Sequence, residues 1–195
     1  MGAIRQSRPT GMTVIEFLDW DSGDTSGRLW QLCDGQPQAM APTSVPHGAI
    51  QGELAGLLRD HLRQTGSRCR MIVTPGVVPR VRSADNVRIP DLAVTCVPPA
   101  ADQRLLEQPV LLVEILSPSN RRETWSNVWS YATIPSVAEI LVVSSLAVSA
   151  DLLRRQPDGT WPEQARRLGP EDTLELASIG LSVPLTALYV TSGVA

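Results

Sequence analysis

The chain has 195 residues, 43% of them hydrophobic, and a formal net charge of -3. That length buries one substantial core and is short for two ordinary domains, so one domain over residues 1–195 is expected, with residues 1–11 as a flexible start. No stretch approaches the roughly 18 apolar residues of a membrane span, and the charge excludes a constitutively basic nucleic-acid binder, so any such contact has to be local.

In chain order, Thr13-Val-Ile-Glu16 fits a capping box at the start of a short helix ending near Trp20, and the run Asp21 to Gly27 breaks it. Arg28 to Cys33 and Gln36 to Ala41 read as strands of a hairpin turning at Asp34-Gly35, a dipeptide that tolerates positive φ. From about Ser44 to Gln64, Ile50, Leu54, Leu57, Leu58 and Leu62 recur at helical spacing opposite Glu53, Arg59, Asp60 and Arg63, which predicts the main amphipathic helix. Extended segments follow near Cys69 to Thr74, Val77 to Val81 and Asp91 to Val97. Val110 to Leu116, VLLVEIL, is nearly continuous in apolar residues, the pattern of a strand covered on both faces at the centre of a sheet. A helix over Arg121 to Ala132, a strand over Glu139 to Val143, and two strands joined by a hairpin at Pro157-Asp158-Gly159 extend the core. Glu171 to Leu176 and a helical turn over Pro184 to Tyr189 close the chain, and no internal repeat or low-complexity tract interrupts it.

The three cysteines, Cys33, Cys69 and Cys96, are odd in number and widely spaced, which argues against a disulfide framework or a CxxC zinc knuckle and favours buried free thiols. Arg5 and Arg8 precede no apolar segment before Thr13, so a cytoplasmic address without a secretory signal is expected. All 17 basic residues are arginines, which excludes lysine-dependent chemistry.

Composition does not account for Glu114, a carboxylate inside VLLVEIL. An ionised carboxylate buried without compensation costs several kcal/mol, so it needs a hydrogen bond, an ion pair or a metal. Asp91 repeats the pattern at the start of Asp91-Leu-Ala-Val-Thr-Cys96. If the two strands pair, both acids can converge on a hard divalent cation, which prefers oxygen ligands and activates water against phosphoryl groups. The competing reading is an internal ion pair of Glu114 with Arg88 or Arg121.

Met12-Thr-Val-Ile-Glu-Phe-Leu18, Leu32-Cys-Asp-Gly35, His47-Gly48, Arg88-Ile-Pro-Asp91, Val113-Glu-Ile-Leu-Ser-Pro-Ser119, Tyr131, Pro135-Ser-Val-Ala-Glu139 and Val183-Pro-Leu-Thr-Ala-Leu-Tyr189 occur in one order across nearly the whole chain. In that order and spacing the sequence resembles the Uma-type restriction endonucleases of the PD-(D/E)XK nuclease superfamily. The resemblance implies an α/β (α+β mixed) restriction-endonuclease-like core, a central mixed sheet flanked by helices with an N-terminal β-hairpin and a long amphipathic helix. It implies that Asp91 is the acid of the Pro-Asp motif, that Glu114 is the acid of the second, and that the Ile115 carbonyl is a further metal ligand. The family commonly carries a lysine four residues before the tyrosine matching Tyr131, where this chain has Asn127, and often a Glu at the position of Gln31. Asn127 can orient a water or a phosphate but brings no charge.

Glu123, Asn127 and Tyr131 fall at i, i+4 and i+8 on one helical stripe able to face the site, and Trp125 and Trp129 share another that is expected to pack. His47 reads either as a helix-start residue satisfying backbone groups or, by the resemblance, as a site residue bonding Gln31 or a phosphate. Ser117 and Ser119 read as loop and cap residues rather than nucleophiles. Arg80, Arg82, Arg88, Arg121 and Arg122 either line a groove for a phosphate backbone or form a solvated strand edge. The function implied is metal-assisted hydrolysis of DNA phosphodiesters by a homodimer holding Mg2+ or Mn2+. The alternative is a catalytically inactive nuclease fold acting as a homo-oligomeric interaction or nucleic-acid-binding module.

Overall fold

The computed structural model describes residues 11–117 and 121–195, the side chains of residues 121 and 122 excepted. The expected flexible start therefore lies outside the described residues apart from Gly11, as does the expected cap at Ser119. Helix α1, Val14–Leu18, opens on the anticipated capping box: the Thr13 amide donates to Glu16 Oε2 at 2.7 Å, and the Glu16 amide donates to Thr13 Oγ1 at 3.3 Å. Strands β1, Trp30–Cys33, and β2, Gln36–Ala39, form the antiparallel hairpin through Asp34 (φ 51°) and Gly35 (φ 80°). Gly35 is required twice over, because a Cβ there would also lie 2.9 Å from the Gly11 Cα, where the Met12 amide donates to the Gly35 carbonyl.

Helix α2, Val45–Gln64, starts with Ser44 accepting from the His47 amide. Its buried stripe of Ile50, Leu54, Leu58 and Leu62 is the predicted apolar face, each side chain contributing about 1.5–3 kcal/mol by burial. Next come β3, Arg70–Val73; β4, Leu92–Thr95; β5, Pro109–Leu116; helix α3, Arg121–Tyr131; and β6, Glu139–Ser144. Strands β7, Ala150–Arg154, and β8, Arg166–Leu168, complete a six-stranded sheet in the order β3-β4-β5-β6-β7-β8. Within it β5 and β6 are parallel, bridged by α3 as the crossover, and the other neighbours are antiparallel. The hairpin of β9, Thr173–Leu176, and β10, Leu181–Pro184, leads into a 3-10 turn over Leu185–Leu188. The mixed sheet flanked by helices is the fold class expected from the sequence.

Strand β5 separates two cores by its alternation. Leu111, Val113 and Ile115 pack with α2 and the β9–β10 hairpin, whereas Leu112 packs with Val128 and Tyr131 of α3. Glu114 has the parity of Leu112 and so belongs to the α3 face.

Three local expectations are corrected. The segment 77–81 is not a strand: Val77 makes one bridge to Arg88, then Pro79, which has no amide proton, and Arg82 at φ 50° end the ladder. Cys69 and Cys96 form a disulfide rather than two free thiols, because the antiparallel register pairing Arg70 with Thr95 sets the two cysteines opposite one another. Cys33 remains free. Trp125 packs half-buried as expected, but Trp129 is 51% exposed.

Candidate active site

The register of β4 against β5 pairs Leu92 with Val113, and one further step sets Asp91 opposite Glu114. Residues opposite each other on neighbouring strands share a face, so the two carboxylates stand side by side at the end of the sheet. Both are buried, Asp91 to 7% exposure and Glu114 to 5%.

Each acid is held by its own set of groups. Asp91 Oδ1 lies 2.9 Å from His47 Nε2, Oδ2 accepts from the Ile115 amide at 2.6 Å, and the Asp91 carbonyl accepts from Gln51 Nε2 and the Thr74 amide. His47 and Gln51 are one helical turn apart near the start of α2, so one helix clamps both ends of the aspartate. Glu114 Oε1 accepts from the Tyr131 hydroxyl at 2.6 Å and from Asn127 Nδ2 at 3.5 Å, both on the sheet-facing stripe of α3. Across the mouth, Gln31 Nε2 donates to Glu123 Oε1 at 2.5 Å, tying β1 to the start of α3.

Burial, and after it the Asp91 carboxylate, push the Glu114 carboxyl well above the ordinary glutamate value, while the bonds from Tyr131 and Asn127 pull it down. Burial, followed by the charge of Glu114, likewise holds the Tyr131 hydroxyl well above its ordinary value, so it stays protonated and able to donate. A hollow of about 90 Å³ is lined by Gln31, His47, Asp91, Glu114, Glu123 and Asn127, with the segment 40–43 over it. A wider cleft, about 810 Å³ between Leu18, Val77 and the segment 98–109, is lined by none of the buried polar side chains. Converging chemistry rather than volume locates the site.

Among the described residues no three His, Cys, Asp or Glu side chains cluster closely enough to hold a metal ion by themselves. The oxygen-donor set is nonetheless suited to a hard divalent cation. Beside the paired carboxylates, the buried amide oxygens Oε1 of Gln31 and Oδ1 of Asn127 line the same hollow and have no hydrogen-bond partner. A buried acceptor without a donor costs about 1–3 kcal/mol, and a cation with its waters would satisfy it.

The expected site residues Gln31, His47, Asp91, Glu114 and Asn127 are thus brought together, with some changes of contact. His47 meets Asp91 rather than Gln31. Ile115 is adjacent, but the contact seen is its amide to Asp91 rather than its carbonyl to a ligand. Arg88 is buried at 7% exposure with Nη1 on the Cys33 sulfur; it neither pairs with Glu114 nor lines a groove for phosphate. Arg82 is exposed and bound to Asp85 and Asp34 beyond the first hairpin turn, outside the residues that line the hollow. The side chains of Arg121 and Arg122 lie outside the described residues. Gln51 and Thr74 were not anticipated; the i, i+4 spacing from His47 was a usable signal for Gln51, whereas nothing local pointed to Thr74.

The family model Uma2, "Putative restriction endonuclease", matches residues 14–187. The chain belongs to this family. It is also 32% identical over 176 residues, 89% of each chain, to "Uncharacterized protein slr1290" of Synechocystis sp. (strain ATCC 27184 / PCC 6803 / Kazusa). Among solved structures it resembles a protein of Anabaena variabilis ATCC 29413, described as a "putative nuclease belonging to DUF820". The TM-score is 0.73 at 16% identity, covering 91% of this chain and 97% of that one. At that identity the likeness establishes the fold.

Proposed function

We propose that the protein is a metal-dependent endonuclease that hydrolyses phosphodiester bonds in DNA, with Asp91 and Glu114 as the carboxylates that hold Mg2+ or Mn2+. The observation that carries this reading is the pairing of two buried acids on adjacent strands, each oriented by dedicated donors. A structural ion pair would set a base against each acid. Here Asp91 has the His47 imidazole against it, but Glu114 faces a hydroxyl, an amide and a second carboxylate and has no base of its own, so repulsion between the acids is relieved by a proton on Glu114 or by a shared cation. Membership in a family described as restriction endonucleases supports the same reading.

Asp91 and Glu114 would hold the divalent cation, whose chemistry there would be to polarise a phosphoryl oxygen and to lower the pKa of a bound water. The chain's own groups do the positioning. His47 and the Ile115 amide fix both oxygens of Asp91, and Tyr131 fixes Glu114, so the acids need little rearrangement on binding. Gln31 and Asn127 present neutral amide oxygens where family members commonly carry charge. With no lysine in the chain and arginine always protonated, the groups left to accept a proton from an attacking water are solvent, the substrate phosphate and the titratable side chains lining the hollow, Glu123 and His47. Two copies of the chain would serve the two strands of a duplex. Plasmid nicking in Mg2+ or Mn2+, abolished by chelator and by Asp91→Asn, tests the proposal; a chelator-insensitive protein that never nicks would favour the non-catalytic module.

A further inference from the structure

A second cleft reaches Asp91 from the side of the N-terminal hairpin. It measures about 370 Å³, within the usual range of about 300–1,000 Å³ for small-molecule pockets, against about 90 Å³ for the carboxylate hollow. Its lining includes Arg28, Leu29, Met40, Pro42, Gln51 and Thr74 as well as Asp91. The segment 40–43 and Asp91 line both spaces, so the cleft adjoins the hollow at the aspartate.

Three features suit this cleft to a flat, partly apolar group attached to an anion. Leu29 is 46% exposed there, with Met40 and Pro42 offering further apolar surface. Arg28 stands at the rim with only a loose 3.8 Å pairing to Asp24, so its guanidinium is available to a phosphate. Thr74 holds φ at 46°, a conformation uncommon for a β-branched residue, and its amide anchors the Asp91 carbonyl. Such strain accumulates where a backbone is fixed for a purpose.

We propose that this cleft is a nucleoside subsite: it takes one base and its sugar out of the stack of a nucleic-acid strand and presents the adjoining phosphate to Asp91 and Glu114. The inference rests on the nuclease reading and deepens it by naming the substrate form, a single strand or a locally unpaired nucleotide. Extruding a base costs least where it is already unpaired, so the preference follows from the cleft's chemistry. The apolar walls serve any base face, so the subsite selects unpaired structure more than sequence.

The test measures binding of fluorescently labelled single-stranded and fully paired oligonucleotides of one sequence, in Ca2+, to the wild type, Leu29→Asp and Arg28→Glu. Plasmid nicking is measured on the same samples. The wild type is expected to bind the single strand roughly tenfold tighter than the duplex. Leu29→Asp should erase that preference, and Arg28→Glu should weaken binding to both forms. Both residues are exposed, and circular dichroism checks that the variants fold. Nicking together with equal affinity for the two forms, or a preference that survives Leu29→Asp, overturns the subsite and leaves the nuclease standing. A wild type that neither binds nor nicks overturns the nuclease reading and the subsite together.

Discussion

The Tyr131 hydroxyl donates to Oε1 of Glu114 at 2.6 Å in the interior between α3 and the sheet. Tyr131 is fully buried and its proton is held tightly, so the bond gives Glu114 one fixed orientation. Tyr131→Phe keeps the ring and removes the donor, leaving a buried acceptor short of one partner. We expect a loss of about 1–3 kcal/mol in urea unfolding of the metal-free protein, with weaker divalent-cation binding. Unchanged stability and unchanged cation affinity would mean that the bond positions nothing.

Glu114 gives a pH signature in the metal-free protein. Burial first and Asp91 second raise its folded-state carboxyl well above the 4.5 of an unperturbed glutamate. Between those values the folded state keeps a proton that the unfolded chain has released. The contribution of this group to stability is therefore complete below the unfolded value and is lost as pH rises through the folded one. Unfolding in chelator from about pH 5 to 8 should show that decline in the wild type. Glu114→Gln should flatten it and be the more stable protein at the alkaline end; a wild-type curve parallel to that of the variant would contradict the burial argument.

The Cys69–Cys96 bridge closes a loop of 27 residues across β3 and β4, the strand that follows Asp91. Reduction, or Cys69→Ser with Cys96→Ser, should lower stability by about 2–4 kcal/mol through the freed unfolded chain. Denaturant unfolding with and without reductant measures this; a Cys33→Ser control, which keeps the bridge, should respond to reductant as the wild type does, whereas the Cys69→Ser, Cys96→Ser protein should not. No difference between oxidised and reduced protein would exclude a structural bridge.

Much of this arrangement was legible before any coordinates. The stripe Ile50, Leu54, Leu58 and Leu62 marked α2, VLLVEIL marked the central strand, and Glu114 inside it drew attention because an apolar run has no other reason to hold an acid. The i, i+4, i+8 spacing of Glu123, Asn127 and Tyr131 also foretold that these residues share a face. What stayed hidden depends on register and tertiary contact. The cysteine pair is visible only once β3 and β4 are aligned. Arg88 read as a partner for Glu114 or as part of a phosphate groove, whereas in the fold its guanidinium meets the sulfur of Cys33. Thr74 reaches Asp91 through a backbone conformation that its side chain disfavours, so propensity points away from it.

Calorimetric titration of Mg2+ and Mn2+ into the wild type, Asp91→Asn and Glu114→Gln, with plasmid nicking on the same samples, tests the paired carboxylates most directly. The account predicts saturable binding and nicking by the wild type. In both variants the binding should disappear and nicking should fall by about a hundredfold or more, with the fold intact by circular dichroism. Absence of binding in the wild type, or nicking that persists in both variants, would contradict it.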